Sequence, residues 1–386
     1  MAATVYSKKV NGPATHALLI GVGHYPHLPG GSGKHKFAND DGMGQLASPP
    51  ESARAVARWL IENYDSPNRP LSSVMLLTSE KKAENFEYVL AGKKKTVPVA
   101  PAEMPAIEQA ILAWRNLGDK NVSNLLIFYF CGHGIAAGTE LALLLSDFGA
   151  KDLQPLNGAI DFRKLHSNMD ECAARNQCYF IDACRVGSDL LERNDGFAGN
   201  PVVQATGNMT NPNGDLRIAP IFYSTLANAE AYAKVGDVSV FTKALLDCFK
   251  GAGSGDETGP WEVQATMLQR ALGKLMLQAS HTLKMPQAQI AASDSFAELT
   301  LNTLASPIVP VFVEVVPAEA HAKALLRCEG AVKDKRPPKP EPWRLSVPVG
   351  KYSFFADFKS GNLKVTPYVD EIVRPPLWSK PLKVVP

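Results

Sequence analysis

Short apolar runs at residues 17–22, 74–77, 125–130 and 178–181 alternate with segments whose apolar residues recur at helical spacing, and this alternation most constrains the fold. Such runs are too short for helices and show no polar face, as expected of strands buried on both sides. Between the first two, Ala53, Val56, Ala57, Leu60, Ile61 and Tyr64 share one helical face, and Pro49 and Pro50 suit the first turn. Ala106, Ile107, Ala110, Ile111 and Trp114 mark a second amphipathic helix. Residues 141–145 and 221–224 read as further strands, and residues 160–172, 241–249 and 261–277 as helices. Strands alternating with helices predict an α/β fold with a mostly parallel sheet flanked by helices.

The texture changes twice. Residues 186–217 carry Gly, Asn, Asp and Pro with little periodicity, long for a connection inside a compact domain. From about residue 305 prolines multiply, and residues 311–315, 343–347, 352–356 and 363–366 read as short strands, with turns at Val349 with Gly350 and Ser360 with Gly361. This predicts a small C-terminal all-β domain, sandwich-like, over 304–386. A chain of 386 residues has room for such an appendage beside a larger domain.

Composition excludes several functions. A net charge of +2 from 40 basic and 38 acidic residues gives no sign of a nucleic-acid or anionic-membrane partner. Lys93, Lys94 and Lys95 read as a solvated loop. No apolar run reaches membrane-spanning length, and none near the N-terminus reads as a secretory leader. The six cysteines form neither a C-x-x-C pair nor a zinc pattern, which fits reduced thiols and a cytoplasmic setting.

The chemistry concentrates at two strand tips. His133 follows the run at 125–130, and Cys184 follows the run at 178–181, 51 residues later. In open α/β sheets ligands gather beyond the carboxyl ends of strands. A thiol attacks carbonyls as a thiolate, so it needs a base or a depressed pKa, and a histidine on a neighbouring strand tip supplies both. Gly132 and Gly134 leave room for a sharp turn and close approach. The N–H groups of Gly134 and Cys184 suit an oxyanion hole. Cys131, Cys172, Cys178, Cys248 and Cys328 read as buried small hydrophobes. Trp114, Trp261, Trp343 and Trp378 read as packing residues, His24 as a surface or core-packing residue rather than one lining the cleft, and Arg185 as a structural ion pair or a substrate contact.

The blocks Phe128-Tyr129-Phe130-Cys131-Gly132-His133-Gly134 and Tyr179-Phe180-Ile181-Asp182-Ala183-Cys184-Arg185 resemble the His and Cys blocks of bacterial caspase-like and metacaspase-like peptidases of the caspase clan. Residues 17–22, 46–60, 222–225 and 241–246 resemble that family's first strand, first helix, small-subunit strand and small-subunit helix, so the resemblance covers about 14–303. It implies a peptidase domain over 1–303, with a large-subunit-like part (14–185), a linker (186–217) and a small-subunit-like part (218–303). The C-terminal domain would then bind a regulator or recruit substrate. The activity implied is a cysteine endopeptidase acting on protein or peptide through an acyl-enzyme, with His133 and Cys184 as the dyad. Asp182 replaces the Gln of animal caspases and resembles the metacaspase residue that selects basic P1 side chains. The second acid of that pocket is replaced by Ser52, with Glu51 beside it. A basic P1 preference makes Arg193 and Arg217 the candidate self-cleavage sites of a zymogen. No cofactor is required; calcium, common in metacaspases, would call on Asp147, Asp189 and Asp195, which lack EF-hand spacing. The alternatives are a catalytically silent caspase-fold scaffold, against which the presence of both Cys184 and His133 argues, and a different Cys–His hydrolase or acyltransferase, which the local motifs fit poorly.

Overall fold

A computed structural model describes residues 3–194, 197–207, 217–225, 237–255, 260–283, 292–293, 298–359 and 363–385. They group into two compact units, residues 1–243 with 290–299 and residues 244–289 with 300–386. The division expected at residue 303 would keep 244–289 with the first unit; by compactness those residues group with the second.

The first unit is built on an eight-stranded sheet. Its principal strands are β1 (Thr4–Ser7), β2 (Thr15–Val22), β3 (Leu71–Ser79), β4 (Leu125–Gly132), β5 (Asn176–Ala183) and β6 (Ile221–Tyr223), in the order β1-β3-β2-β4-β5-β6, followed by Ala292–Ser293. The pairs from β3 to β6 are parallel, and the outer pairs made by β1 and by Ala292–Ser293 are antiparallel. Side chains alternate across the sheet. Leu18, Ile20, Val22, Leu126, Phe128 and Phe130 share a core with Ile107, Ile111 and Trp114 of the helix α1 (Met104–Gly118). The opposite face approaches the helix Pro49–Asn63: a Cβ on Gly21 would lie 2.4 Å from the Pro49 carbonyl oxygen and 2.9 Å from the Ala53 Cβ. Helices therefore cover both faces, as the alternation predicts.

Three local readings change. Lys93–Val97 is a strand paired with Phe86–Leu90, not a loop. Ala91 and Gly92, both at positive φ (49° and 74°), form the turn that two-residue hairpins favour, and Lys94 pairs with Glu87 at 2.7 Å. The helix expected over 160–172 is split. Ala159–Asp161 pairs with Glu140–Leu144, and Asp161 then caps Phe162–Asn168 by accepting from the Lys164 N–H at 2.9 Å. Trp261–Gln264 is likewise a strand, paired with Thr300–Leu304, and the helix begins only at Ala265. Neighbouring strands override a locally helical pattern in both places.

The C-terminal strands of the second unit form two four-stranded sheets. One orders Trp343–Pro348, Ile308–Val316, Trp378–Val385 and Lys364–Val365; the other orders Asp334–Arg336, Ala324–Gly330, Gly350–Phe358 and Tyr368–Val373. Val309, Val311, Val313, Leu326, Cys328, Phe354, Trp378 and Leu382 belong to one shared buried core, the sandwich-like arrangement expected. Four strands went unread in the sequence, including Ala324–Gly330 and Trp378–Val385, because Arg, Lys and Pro on the outward face obscure the alternation.

Candidate active site

Strands β4 and β5 run parallel in an unbroken ladder that ends with Asp182 opposite Cys131 and Ala183 opposite Gly132. One residue further, the two chains leave the ladder at Cys184 and His133. Adjacent strands lie about 4.8 Å apart, so the two chains leave the ladder side by side. Gly134 is required here: a Cβ would stand 2.6 Å from the Cys184 carbonyl oxygen and 3.0 Å from the Ala183 Cβ. Cys184 is half-buried and in no disulfide, whereas the other five cysteines are buried.

His133 is held from two sides. Its Nε2 lies 2.8 Å from the Gly44 carbonyl oxygen. A carbonyl only accepts, so Nε2 carries the proton and Nδ1 keeps its lone pair. The His133 backbone N–H donates to the Tyr25 hydroxyl at 2.8 Å, and the Tyr25 ring centroid lies 4.8 Å from that of the imidazole. Burial lowers the His133 pKa, and the Gly44 carbonyl partly opposes this. Tyr25 is fully buried and, through desolvation, ionises only far above the ordinary tyrosine range, so it acts as a neutral hydroxyl.

Below Cys184, Asp182 is 3% exposed and its carboxylate is met by uncharged donors. Oδ2 accepts from the Thr242 hydroxyl at 3.0 Å, from the Ser239 hydroxyl, and from the Cys131 thiol at 3.4 Å. Desolvation raises the Asp182 pKa, and hydrogen bonds from Ser239, Thr242, Cys131 and Ser224 pull it back. Ser52 is fully buried in the same neighbourhood, its hydroxyl accepting from the Ser239 N–H at 3.0 Å. Glu51 is not among these groups; it is exposed and faces Arg58 at 3.6 Å. Arg185 stacks on the Tyr223 ring at 4.1 Å, a cation–π contact. His24 sits at the surface against the Ser32 hydroxyl at 2.9 Å.

The remaining sequence-derived residues fall elsewhere. Arg217 is folded onto the protein, donating to Gln177 Oε1 at 2.8 Å and to the His166 carbonyl at 2.7 Å. Arg193 is exposed at the end of the short helix Asp189–Arg193. Residues 197–207 are docked: Asn200 exchanges backbone hydrogen bonds with Ala159 and Asp161, and Thr206 and Gly207 donate to the Glu171 carboxylate. Asp147 accepts from the Met104 N–H with both oxygens at 3.2 Å, at the N-terminus of α1. Asp189 lies in the first turn of its helix, and Asp195 is outside the described residues. Among the described residues no group of three or more His, Cys, Asp or Glu side chains is arranged to hold a metal ion.

Sequence reasoning did not find Tyr25, Gly44, Ser239 or Thr242. Gly44 acts through a backbone carbonyl, which carries no side-chain signal, and the hydroxyls become informative only once Asp182 is seen to be buried among them.

A mostly parallel sheet flanked by helices, with a thiol and an imidazole just beyond the ends of two neighbouring strands, defines a class of α/β folds. Within that class the chain belongs to the caspase family: the family model described as the caspase domain matches residues 14–295. A curated relative, the uncharacterized protein y4kE of Sinorhizobium fredii, is 26% identical over 302 residues, spanning 76% of this chain and 84% of its own length. Caspase-1 from Spodoptera frugiperda aligns over 78% of this chain and 97% of its own at 12% identity, with a TM-score of 0.39. Among the described residues no helix is long and apolar enough to cross a membrane.

Proposed function

We propose that the protein is a cysteine endopeptidase that cleaves after basic residues, with Cys184 as nucleophile and His133 as base. The observation that carries this reading is the β4–β5 register, whose last rung, Ala183 opposite Gly132, lies one residue before Cys184 and His133. His133 Nδ1 takes the thiol proton, and the Cys184 sulfur attacks the carbonyl carbon of the scissile amide. The oxyanion is met by the N–H groups of Gly134 and Cys184. His133 then gives its proton to the amide nitrogen, the C–N bond breaks, and the amine leaves a thioester on Cys184. Water, deprotonated by His133, attacks that thioester; the C–S bond breaks, and the acid product and the thiol are restored.

Asp182 supports the P1 assignment. Its described partners are neutral, and desolvation raises its pKa. A guanidinium or ammonium placed against it offsets that desolvation, whereas a P1 aspartate is repelled. Ser239 and Thr242 supply hydroxyls to that carboxylate, and Ser52 lies one bond further out, on the Ser239 N–H, where a second acid would otherwise stand.

Self-processing, on this reading, falls at Arg193 rather than Arg217, whose guanidinium is already hydrogen-bonded within the fold. Residues 304–386 serve as a regulatory or substrate-recruiting module.

The test is a peptide library varied at P1, with wild type, Cys184→Ala and Asp182→Asn. Cleavage after Arg or Lys that vanishes in Cys184→Ala, with a roughly 10-fold to 100-fold loss of basic preference in Asp182→Asn, is expected. Cleavage by wild type after acidic residues would overturn the pocket assignment, and no Cys184-dependent cleavage after any residue would overturn the enzyme.

A further inference from the structure

The carbonyl that orients His133 belongs to a segment with few bonds of its own. Gly44, Gln45 and Leu46 are held on residues 23–29 by the Leu46 N–H to the Gly23 carbonyl (2.9 Å) and by the Gln45 side chain. Gln45 Oε1 accepts from the Tyr25 N–H at 2.9 Å, and its Nε2 donates to the carbonyls of Tyr25 (2.9 Å) and Pro29 (3.0 Å). One side-chain amide thus pairs with the backbone of Tyr25 on both its N–H and C=O, as a strand neighbour would. Tyr25 in turn accepts the His133 N–H and donates to the Leu144 carbonyl at 3.3 Å. The bonds close a circuit: His133 Nε2 to Gly44, Gln45 to Tyr25, and the Tyr25 hydroxyl to the His133 backbone.

We propose that Gln45 and Tyr25 are positioning residues of the dyad, which together fix the tautomer and ring plane of His133 by setting where the Gly44 carbonyl lies. The inference rests on the reading of His133 as the base. Gln45 is exposed, so its contribution comes from these three bonds rather than from apolar burial. Glutamate cannot donate to two carbonyls, and methionine matches the length without the bonds. A ring freed from Gly44 turns and samples both tautomers, and a misplaced base lowers the chemical step more than substrate binding.

The experiment uses full-length protein carrying ¹⁵N-histidine. His133→Gln assigns the His133 signals among the eight histidines. Wild type is expected to show a single Nε2–H tautomer, and Gln45→Met and Tyr25→Phe an averaged one. In peptide cleavage each variant should lose roughly 10-fold or more in kcat with KM little changed. The double variant should lose no more than the worse single one, because both open the same circuit. An unchanged tautomer and unchanged kcat in Gln45→Met, a surface substitution that leaves the core intact, would overturn the proposal; so would fully additive losses. If wild type cleaves no peptide, the peptidase reading fails, while the imidazole spectrum still decides the positioning role.

Discussion

In the parallel sheet, Ala17, Leu18, Leu19 and Ile20 are all buried, and so are Leu126, Ile127, Phe128 and Tyr129. In the C-terminal strand Ala324–Gly330, only Ala324, Leu326 and Cys328 are buried, while Arg327 faces outward and pairs with Asp357 at 2.6 Å. The two regions spend the same apolar residues differently. A strand covered on both faces has little place for a polar side chain except its end, so reactive groups gather where the ladder stops. A sandwich strand has a polar face along its whole length, so its charges are spread and none is forced to meet another. The first arrangement concentrates chemistry, and the second yields a stable surface.

Substitutions can break or sharpen this contrast. The largest effect is expected for Cys184→Ala, which should lower peptide cleavage by roughly 10⁴-fold, whereas Cys328→Ala in the sandwich should leave it within about twofold, as steady-state kinetics would show. Next, Phe354→Ala should cost about 3–5 kcal/mol in the second unit. Phe354 is fully buried and stacks on Trp378 with ring centroids 4.1 Å apart, and hydrogen exchange resolved by residue would locate the loss. Acid should act on the sheet unit through His16, which burial, with help from Lys120, lowers to about 4. Its folded pKa lies below the ordinary 6.5, so its contribution is full above that pH and is lost as pH falls toward about 4. Urea midpoints at pH 7 and pH 5 should show the drop, on the order of 2 kcal/mol, and His16→Asn should reduce it. A smaller catalytic effect, with some loss of stability, is expected for Gly134→Ala: a Cβ 2.6 Å from the Cys184 carbonyl oxygen pushes the two tips apart and lowers kcat by roughly 10- to 100-fold. Equal sensitivity of the two units to acid and to core truncation, with no difference in catalysis, would erase the contrast.

The difference also explains what the sequence revealed. Strands buried on both faces stand out as unbroken apolar runs, and β2 to β5 were legible for that reason. His133 and Cys184 were legible because each follows such a run directly. The sandwich strands were half legible: Trp378–Val385 carries Lys380, Pro381 and Lys383, which break the alternation although Trp378 and Leu382 point into the core. The hairpin at Lys93–Val97 was missed because positive φ at Ala91 is not written in a residue type that usually adopts it. Within the site, Asp182 was legible from its place before Cys184. Its hydroxyl partners Ser239 and Thr242, and the hold of Gly44, Gln45 and Tyr25 on His133, depend on segments distant in sequence.

The β4–β5 ladder has a consequence for how such a chain can change over time. Thiol and imidazole follow directly on the hydrogen-bonded rungs that end at Ala183 and Gly132, whereas 50 residues separate them along the backbone. The part of that stretch between Gly134 and the start of β5 can be lengthened, shortened or replaced without moving the strand ends, provided the rungs survive. Lineages descending from such a chain are free to rewrite that middle stretch while inheriting the tips unaltered.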